Sequence, residues 1–256
     1  MIGPLPYIGG KNRLATQIIS LFPEHTTYVE PFAGGAQVLF HKPASRVEVL
    51  NDLDFDIVNF FRVCQVYFQE LIRYLRFTLV SRTWHSLYAA ENPTALTDIQ
   101  RAARFFYLQK NSFGGLVRDQ KFHYGITQPS NYNPERIPEI LKKTHQRLQR
   151  VQIESLPYEQ VLEKYDRPTT LFYLDPPYFG RRLYRHNLND DEFHTLAERL
   201  TVVQGKFILS LNDVTHVRSI FSAFHIQSTE IIYTAKSHPT SHREVLISNF
   251  EPKKEP

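Results

Sequence analysis

The sequence predicts an α/β fold: an open, mostly parallel sheet with a helical insertion. Three observations carry this expectation. Short apolar, β-branched runs break repeatedly at an acidic residue or a Gly/Pro cluster, the pattern of buried strands. Segments of helical period separate those runs, as parallel strands require helical crossovers. One long stretch, residues 55–150, carries helical periodicity almost throughout. The composition agrees, since 42% apolar and 22% charged residues over 256 positions describe an ordinary globular chain and exclude disordered, collagen-like and coiled-coil classes.

In chain order, the clearest strands are Thr26 to Val29 before Glu30, Val47 to Leu50 before Asn51-Asp52, Thr169 to Leu174 before Asp175, and Phe207 to Leu211 before Asn212-Asp213. Each runs into a carboxylate. Ligands of open parallel sheets sit beyond the carboxyl ends of the strands, so these four loops should gather polar chemistry along one edge. Ile226 to Tyr233 and Val245 to Phe250 read as an antiparallel end of the sheet. Helical periods cover Phe55 to Arg76, Arg82 to Ala90, Asp98 to Lys110 and Arg136 to Arg150. Between the last two lies a Gly-, Asn- and aromatic-rich segment, from Ser112 to Asn133, with hairpin character. The expected organisation is a cofactor-binding and catalytic domain made of residues 1–54 and 151–256, with 55–150 as the insertion.

Charge is unevenly spread. The chain totals +4, but residues 55–150 hold 14 Lys or Arg against 7 Asp or Glu, a balance of +7, while the remainder sums to −3. Arginines outnumber lysines 19 to 11, which suits bidentate contacts to phosphate or guanine. The single cysteine, Cys64, excludes an intramolecular disulfide and a cysteine-rich zinc site. His238 and His242 form an i,i+4 pair, but Pro239 lies between them and forbids a helical metal pair, so no metal is expected. No run approaches the ~18 uninterrupted apolar residues of a spanning helix, and no signal-peptide pattern opens the chain, which predicts a cytoplasmic protein without membrane contact.

Two patterns carry chemistry. Glu30-Pro31-Phe32-Ala33-Gly34-Gly35 follows a strand, and its small residues let the backbone approach a ligand closely. Asp52 ends the next strand, where a carboxylate can hold two ribose hydroxyls, so the pair points to a nucleoside-containing cofactor. The three-glycine dehydrogenase fingerprint and the Gly-Lys-Ser/Thr phosphate loop are both absent from the sequence. The second pattern is Asp175-Pro176-Pro177-Tyr178. Two prolines fix the backbone and remove two N–H donors, leaving an acceptor-only corner. An amino group on an aromatic base is a poor nucleophile because its lone pair is delocalised. If Asp175 and the Pro176 carbonyl each accept a hydrogen bond from that amine, its nitrogen can pyramidalise, while Tyr178 can stack on the base.

These motifs, together with Pro6-Tyr7-Ile8-Gly9-Gly10-Lys11, Val49-Leu50-Asn51-Asp52, Asn111-Ser112-Phe113-Gly114-Gly115-Leu116 and the closing Arg243 to Phe250, resemble the Dam-type DNA adenine methyltransferases, in that family's order and over nearly the whole chain. The resemblance implies a Rossmann-like methyltransferase fold that transfers the methyl of S-adenosylmethionine to the exocyclic amine of a flipped-out adenine in double-stranded DNA. It implies Tyr7, Lys11, Phe32, Ala33, Gly34, Asp52, Tyr158 and Asp175 around the cofactor, and Asp175 to Tyr178 around the base. Phe113 would wedge into the duplex, while Asn111, Leu116, Arg118 and Lys121 would complete the DNA contacts. Arg101, Arg104, Lys142 and Lys143 are candidate phosphate contacts, as are Arg181, Arg182 and Arg185 beside the tetrad. Three positions depart from the family pattern: Pro6 replaces a frequent lysine, Leu156-Pro157-Tyr158 replaces an Asp-aromatic pair, and Ala36 replaces a frequent glycine. Competing readings of the same tetrad are an amino-cytosine methyltransferase and a catalytically silent DNA-binding regulator.

Overall fold

A computed structural model describes residues 1–123, 125, 130–233 and 240–252, and the side chains of these except 113, 230–233 and 240–242. Seven strands form one sheet: β1 (Thr27–Glu30), β2 (Val47–Asn51), β3 (Val151–Glu154), β4 (Thr170–Leu174), β5 (Lys206–Asn212), β6 (His225–Tyr233) and β7 (Thr240–Ser248). Their spatial order is β3-β2-β1-β4-β5-β7-β6, and only the β5–β7 and β6–β7 pairings are antiparallel. All six expected strands are present, five with boundary shifts of one residue and the last, β7, starting five residues earlier and ending two residues earlier than expected. The edge strand β3 had no individual sequence signal, since four residues cannot show a period.

Alternate residues of each strand face opposite layers. On one face, Tyr28, Leu50, Val151, Leu171, Tyr173, Ile208 and Leu246 pack against α1 (Ala15–Ser20), α2 (Gln37–His41), α3 (Phe55–Val66), α4 (Phe68–Leu75), α6 (Asp98–Asn111) and α7 (Ile137–Leu148). On the other, Val29, Val49, Phe172, Leu174, Phe207, Leu209 and Val245 pack against α8 (Tyr158–Tyr165), α9 (Asp190–Thr201) and α10 (Thr215–Ile220). Residues 55–150, expected as an insertion, also contain α5 (Arg82–Ala90) and form the crossover from β2 to β3. Their helices share one continuous core with the sheet, so this segment is rooted in the same packed layer as the strands.

The expected helix from Phe55 to Arg76 breaks at Tyr67, whose φ and ψ are −123° and 33°. Neither proline nor glycine causes this. His145 of α7 donates through Nδ1 to the carbonyls of Cys64 and Gln65, at 3.3 and 3.0 Å, and stacks on Phe68 with ring centroids 4.2 Å apart. A side chain that captures terminal carbonyls ends the helix there.

Candidate active site

The turn after β1 is held from within. The Glu30 carboxylate is buried and accepts from the Tyr28 hydroxyl (2.7 Å) and the Leu39 amide (2.8 Å), tying strand to α2. Burial pushes its pKa up to about 8. Asn51 staples the turn to the loop before α8: its amide donates to the carbonyls of Pro31 and Leu156 (both 2.9 Å) and accepts from Leu156 N (2.8 Å). Gly34 has φ +48°, and a Cβ there would sit 2.9 Å from the Tyr7 ring, so a side chain would displace that ring. Ala36 also adopts the left-handed region, φ 49° and ψ 35°, at the N-cap of α2. The position where relatives of this pattern favour glycine is therefore one where glycine is the less strained residue.

Beside this turn lies a cavity of about 460 Å³, within the usual range for small-molecule and cofactor sites. Tyr7, Phe32, Gly34, Asp52, Asp54, Tyr158, Asp175 and Pro177 line it, as does the strap Tyr184 to Leu188. Tyr158 is nearly buried and packs on Phe32 at 5.3 Å between centroids, so Pro157 and Tyr158 build a wall there despite the departure from the Asp-aromatic pattern. Asp52 accepts from the amides of Gly34 and Asp54, both at 2.8 Å, and burial pushes its carboxyl up to about 7. Each oxygen keeps a lone pair for a ligand hydroxyl. The Oδ2 of Asp54 is buried and has no partner within the protein, a second acceptor at the same wall. Ala33 and Lys11, expected at the cofactor, line a narrow cleft of about 30 Å³ that shares Tyr7, Phe32, Gly34 and Asp175 with the cavity.

Lys11 occupies the back of the tetrad. Its ammonium is 2% exposed and donates to Asp175 Oδ1 (2.6 Å), Gly9 O (2.9 Å) and the Tyr178 hydroxyl (3.1 Å). The corner is thus not acceptor-only as the two prolines suggested: one Asp175 oxygen already meets a donor. Burial works against the Lys11 charge, but Asp175, Tyr178 and Glu244 hold its pKa well above the ordinary value. Burial pushes Asp175 up to about 6 even with Lys11 opposing it. Of the four strand-end carboxylates, Asp52 and Asp175 line the cavity, Glu30 is buried behind the turn, and Asp213 pairs with Arg218 at 2.6 Å in a separate surface hollow.

The strap after the tetrad crosses the cavity mouth. Tyr184 stacks on Tyr7 with centroids 6.1 Å apart and donates to Ile8 O at 3.1 Å. Arg185 pairs with Asp54 at 3.0 Å and with Asp56. Arg185 is therefore an internal clamp rather than the phosphate contact its position suggested. Arg181 and Arg182 are exposed.

The structure also sorts the expected DNA residues. Asn111 is fully buried; its amide donates to Tyr107 O (3.0 Å) and accepts from Ser130 Oγ (3.1 Å), so it supports the loop instead of facing DNA. Arg104 is buried and donates to the Tyr88 and Ala89 carbonyls, and Arg101 is paired with Asp56 at 2.5 Å; neither is placed to meet phosphate. Arg118 and Lys121 are exposed, Leu116 is half-buried, and Lys142 and Lys143 lie on the exposed face of α7, Lys143 paired with Glu139. Phe113 opens a short 3-10 turn, and its side chain falls outside the described residues. Gly115 (φ +67°) accepts from Ile8 N at 3.0 Å and lies so close that a Cβ would meet Tyr7 N at 2.9 Å. The loop around Gly115 is thereby pinned to the segment that carries Tyr7 and Lys11.

The histidine pair at 238 and 242 falls outside the described side chains. Asp190, His194 and His216, all exposed, bring one possible metal-binding atom each to within 4.8 Å of one another, and His216 Nε2 bonds Asp190 Oδ1 at 2.7 Å. Among the described residues, no helix is long and apolar enough to cross a membrane.

The fold is that of a Rossmann-like methyltransferase: a mostly parallel sheet with an antiparallel β7, a cavity at the first turn, and a proline-locked carboxylate on its wall. The family model described as D12 class N6 adenine-specific DNA methyltransferase matches residues 7–235, and the chain belongs to that family. It is 23% identical over 256 aligned residues to the Retron Ec67 DNA adenine methylase of Escherichia coli, covering 94% of this chain and 89% of that one. It is 24% identical to the Type II methyltransferase M.CviBI of Paramecium bursaria Chlorella virus NC1A, over 90% of each chain. A third relative, the Type II methyltransferase M.MjaIII of Methanocaldococcus jannaschii, is 25% identical over 87% of this chain and 89% of its own length.

The family's cofactor is S-adenosylmethionine. The residues present fit it: an apolar wall formed by Phe32 and Tyr158, acceptors at Asp52 and Asp54, and a glycine turn with no room for a side chain. Asp54 was not singled out by local sequence patterns, and the contacts that Asn51, Arg185 and Glu244 make were not legible in theirs, because the partners lie far away in the chain.

Proposed function

We propose that this protein methylates the exocyclic amine of an adenine flipped out of a specific site in duplex DNA. When bound, the cofactor supplies a methyl group on an electron-poor sulfonium. This chain's residues do the rest. Asp52 accepts from the ribose hydroxyls, the cofactor base lies against the Phe32–Tyr158 wall, and the Tyr184–Arg185 strap keeps water out of the cavity. Asp175 and the Pro176 carbonyl accept the two amine hydrogens, which frees the nitrogen lone pair and aligns it. Flipping costs a few kcal/mol and is the only way for the amine to reach that corner. The recognition segment near residues 112–133 takes the duplex, with Phe113 as the wedge, Leu116 and Arg118 at base edges, and Lys121 on phosphate. A DNA substrate of this kind places the protein in the cytoplasm of a bacterium or archaeon, or of a virus-infected cell.

The observation that carries this reading is the position of Asp175, which lines the same cavity as Asp52 while its carboxylate is oriented by Lys11. Transfer of labelled methyl from S-adenosylmethionine to duplex DNA tests it, with nucleoside analysis of the product. The expected product is N6-methyladenine, and Asp175→Ala abolishes it while the variant still folds, with a melting temperature lowered by the loss of the buried Lys11 partner. Near-normal turnover by that variant would refute the role assigned to Asp175.

A further inference from the structure

We propose that Glu244 is a positioning residue for the transfer, one that anchors the Tyr178 hydroxyl and the Lys11 ammonium so that the tetrad is held facing the base. This rests on the reading of Asp175 to Tyr178 as the base-holding corner.

Glu244 lies on β7, opposite Asn212 of β5 and Thr229 of β6, at 3% exposure. Its Oε1 accepts from the Tyr178 hydroxyl. Its Oε2 accepts from Ser210 Oγ at 3.1 Å and stands 3.7 Å from the Lys11 ammonium. The donors and acceptors form one consistent chain: Ser210 and Tyr178 donate to Glu244, Lys11 donates to Tyr178, and Lys11 donates to Asp175. A tyrosine hydroxyl has one proton, and here Glu244 takes it. That leaves the Tyr178 oxygen as acceptor for Lys11 and fixes the ring at both ends of its polar edge.

Charge gives Glu244 a second role. Two buried carboxylates share one ammonium. Lys11 alone against Asp175 would neutralise it, whereas a second anion draws part of the ammonium's field away and leaves Asp175 a stronger acceptor. The titrating or charged groups around Asp175 are Lys11 from the N-terminal segment, Glu244 from β7, Tyr178 of its own turn, Tyr173 from β4, Tyr184 from the strap and Glu30 from β1. Within that set Glu244 raises the Asp175 pKa. Removing its charge therefore lowers that pKa.

The test measures kcat, KM for duplex DNA, cofactor affinity, melting temperature and the pH profile of kcat for wild type, Glu244→Gln and Glu244→Ala. The isosteric glutamine keeps an acceptor for Tyr178 and guards against failure of the alanine variant to fold. The expected result is a kcat loss of about 100-fold in Glu244→Ala, the scale of a misplaced reacting group, with cofactor affinity unchanged. Glu244→Gln recovers part of that loss, and in both variants the acid limb of kcat moves to lower pH. Wild-type kcat and an unmoved acid limb in Glu244→Gln overturn the proposal. So does a fall in kcat matched by equal losses in melting temperature and cofactor binding, which marks Glu244 as structural only. Asp175→Ala is run alongside: if it is inactive while Glu244 variants are normal, the inference fails and the reading of the tetrad stands.

Discussion

The Arg185 guanidinium and the Asp56 carboxylate, 129 positions apart in sequence, are ion-paired at the rim of the cavity. The pair makes a strap of the segment after the tetrad, because Tyr184 rests on Tyr7 just before it. Asp56 has a second partner in Arg101, so the anion stays neutralised if the strap lets go.

Arg185→Ala should therefore loosen the strap without unfolding the protein. Loss of a charge-assisted bond costs about 1–3 kcal/mol. The cofactor should dissociate several-fold faster, seen by stopped-flow fluorescence, with a modest fall in melting temperature. An unchanged dissociation rate would show that the strap does not close over the cofactor.

Asp52 gives a pH dependence of known sign. Burial pushes its carboxyl up to about 7, and only the ionised form is a strong acceptor for ribose hydroxyls. Cofactor affinity by calorimetry should rise from about pH 6 to about pH 8 and then level, and Asp52→Asn should bind weakly with no such rise. For stability the same shift works the other way: the apo fold retains this proton more tightly than the unfolded chain, so the contribution is lost as pH climbs through about 7.

A buried ion cluster below the first turn governs acid stability. Glu48 accepts from Lys42 Nζ at 2.6 Å, Arg147 at 2.5 and 2.8 Å, and Ser45 N at 3.1 Å. Burial alone would raise its carboxyl, but Arg147 and Lys42 hold it below the ordinary value. The stability it contributes is present above the unfolded carboxylate pKa and disappears as pH falls through the lowered one. Glu48→Ala leaves two cations unpaired and should cost about 3–5 kcal/mol in urea denaturation at neutral pH.

Under the proposed reading, Arg118 and Lys121 should separate specificity from affinity. Both are exposed on the loop that Gly115 pins to the Tyr7 segment. Arg118→Ala should cost about 1–3 kcal/mol on the preferred site and relax one base position, while Lys121→Ala should weaken all sequences alike and lower the salt slope by about 1. Fluorescence anisotropy on matched and mismatched duplexes at several salt concentrations distinguishes them.

By itself the sequence determined the α/β class, six of the seven strands, the glycine turn, Asp52 and the proline-locked corner, because each is written in neighbouring residues: a two- or 3.6-residue period, a turn that tolerates no side chain, two consecutive prolines. It did not determine who meets whom. Asn111 and Arg104 look like DNA contacts in a basic segment, and only packing showed their polar atoms turned inward. The break at Tyr67 comes from His145, a residue 78 positions further along the chain that no local window contains. Lys11 reaches Asp175, and Glu244 reaches Tyr178, because parallel and antiparallel pairing lay β4, β5 and β7 side by side. Burial, which depends on the whole fold, then sets the charge on Asp52 and Asp175; the residue types were legible in one dimension, and their acidity belongs to three.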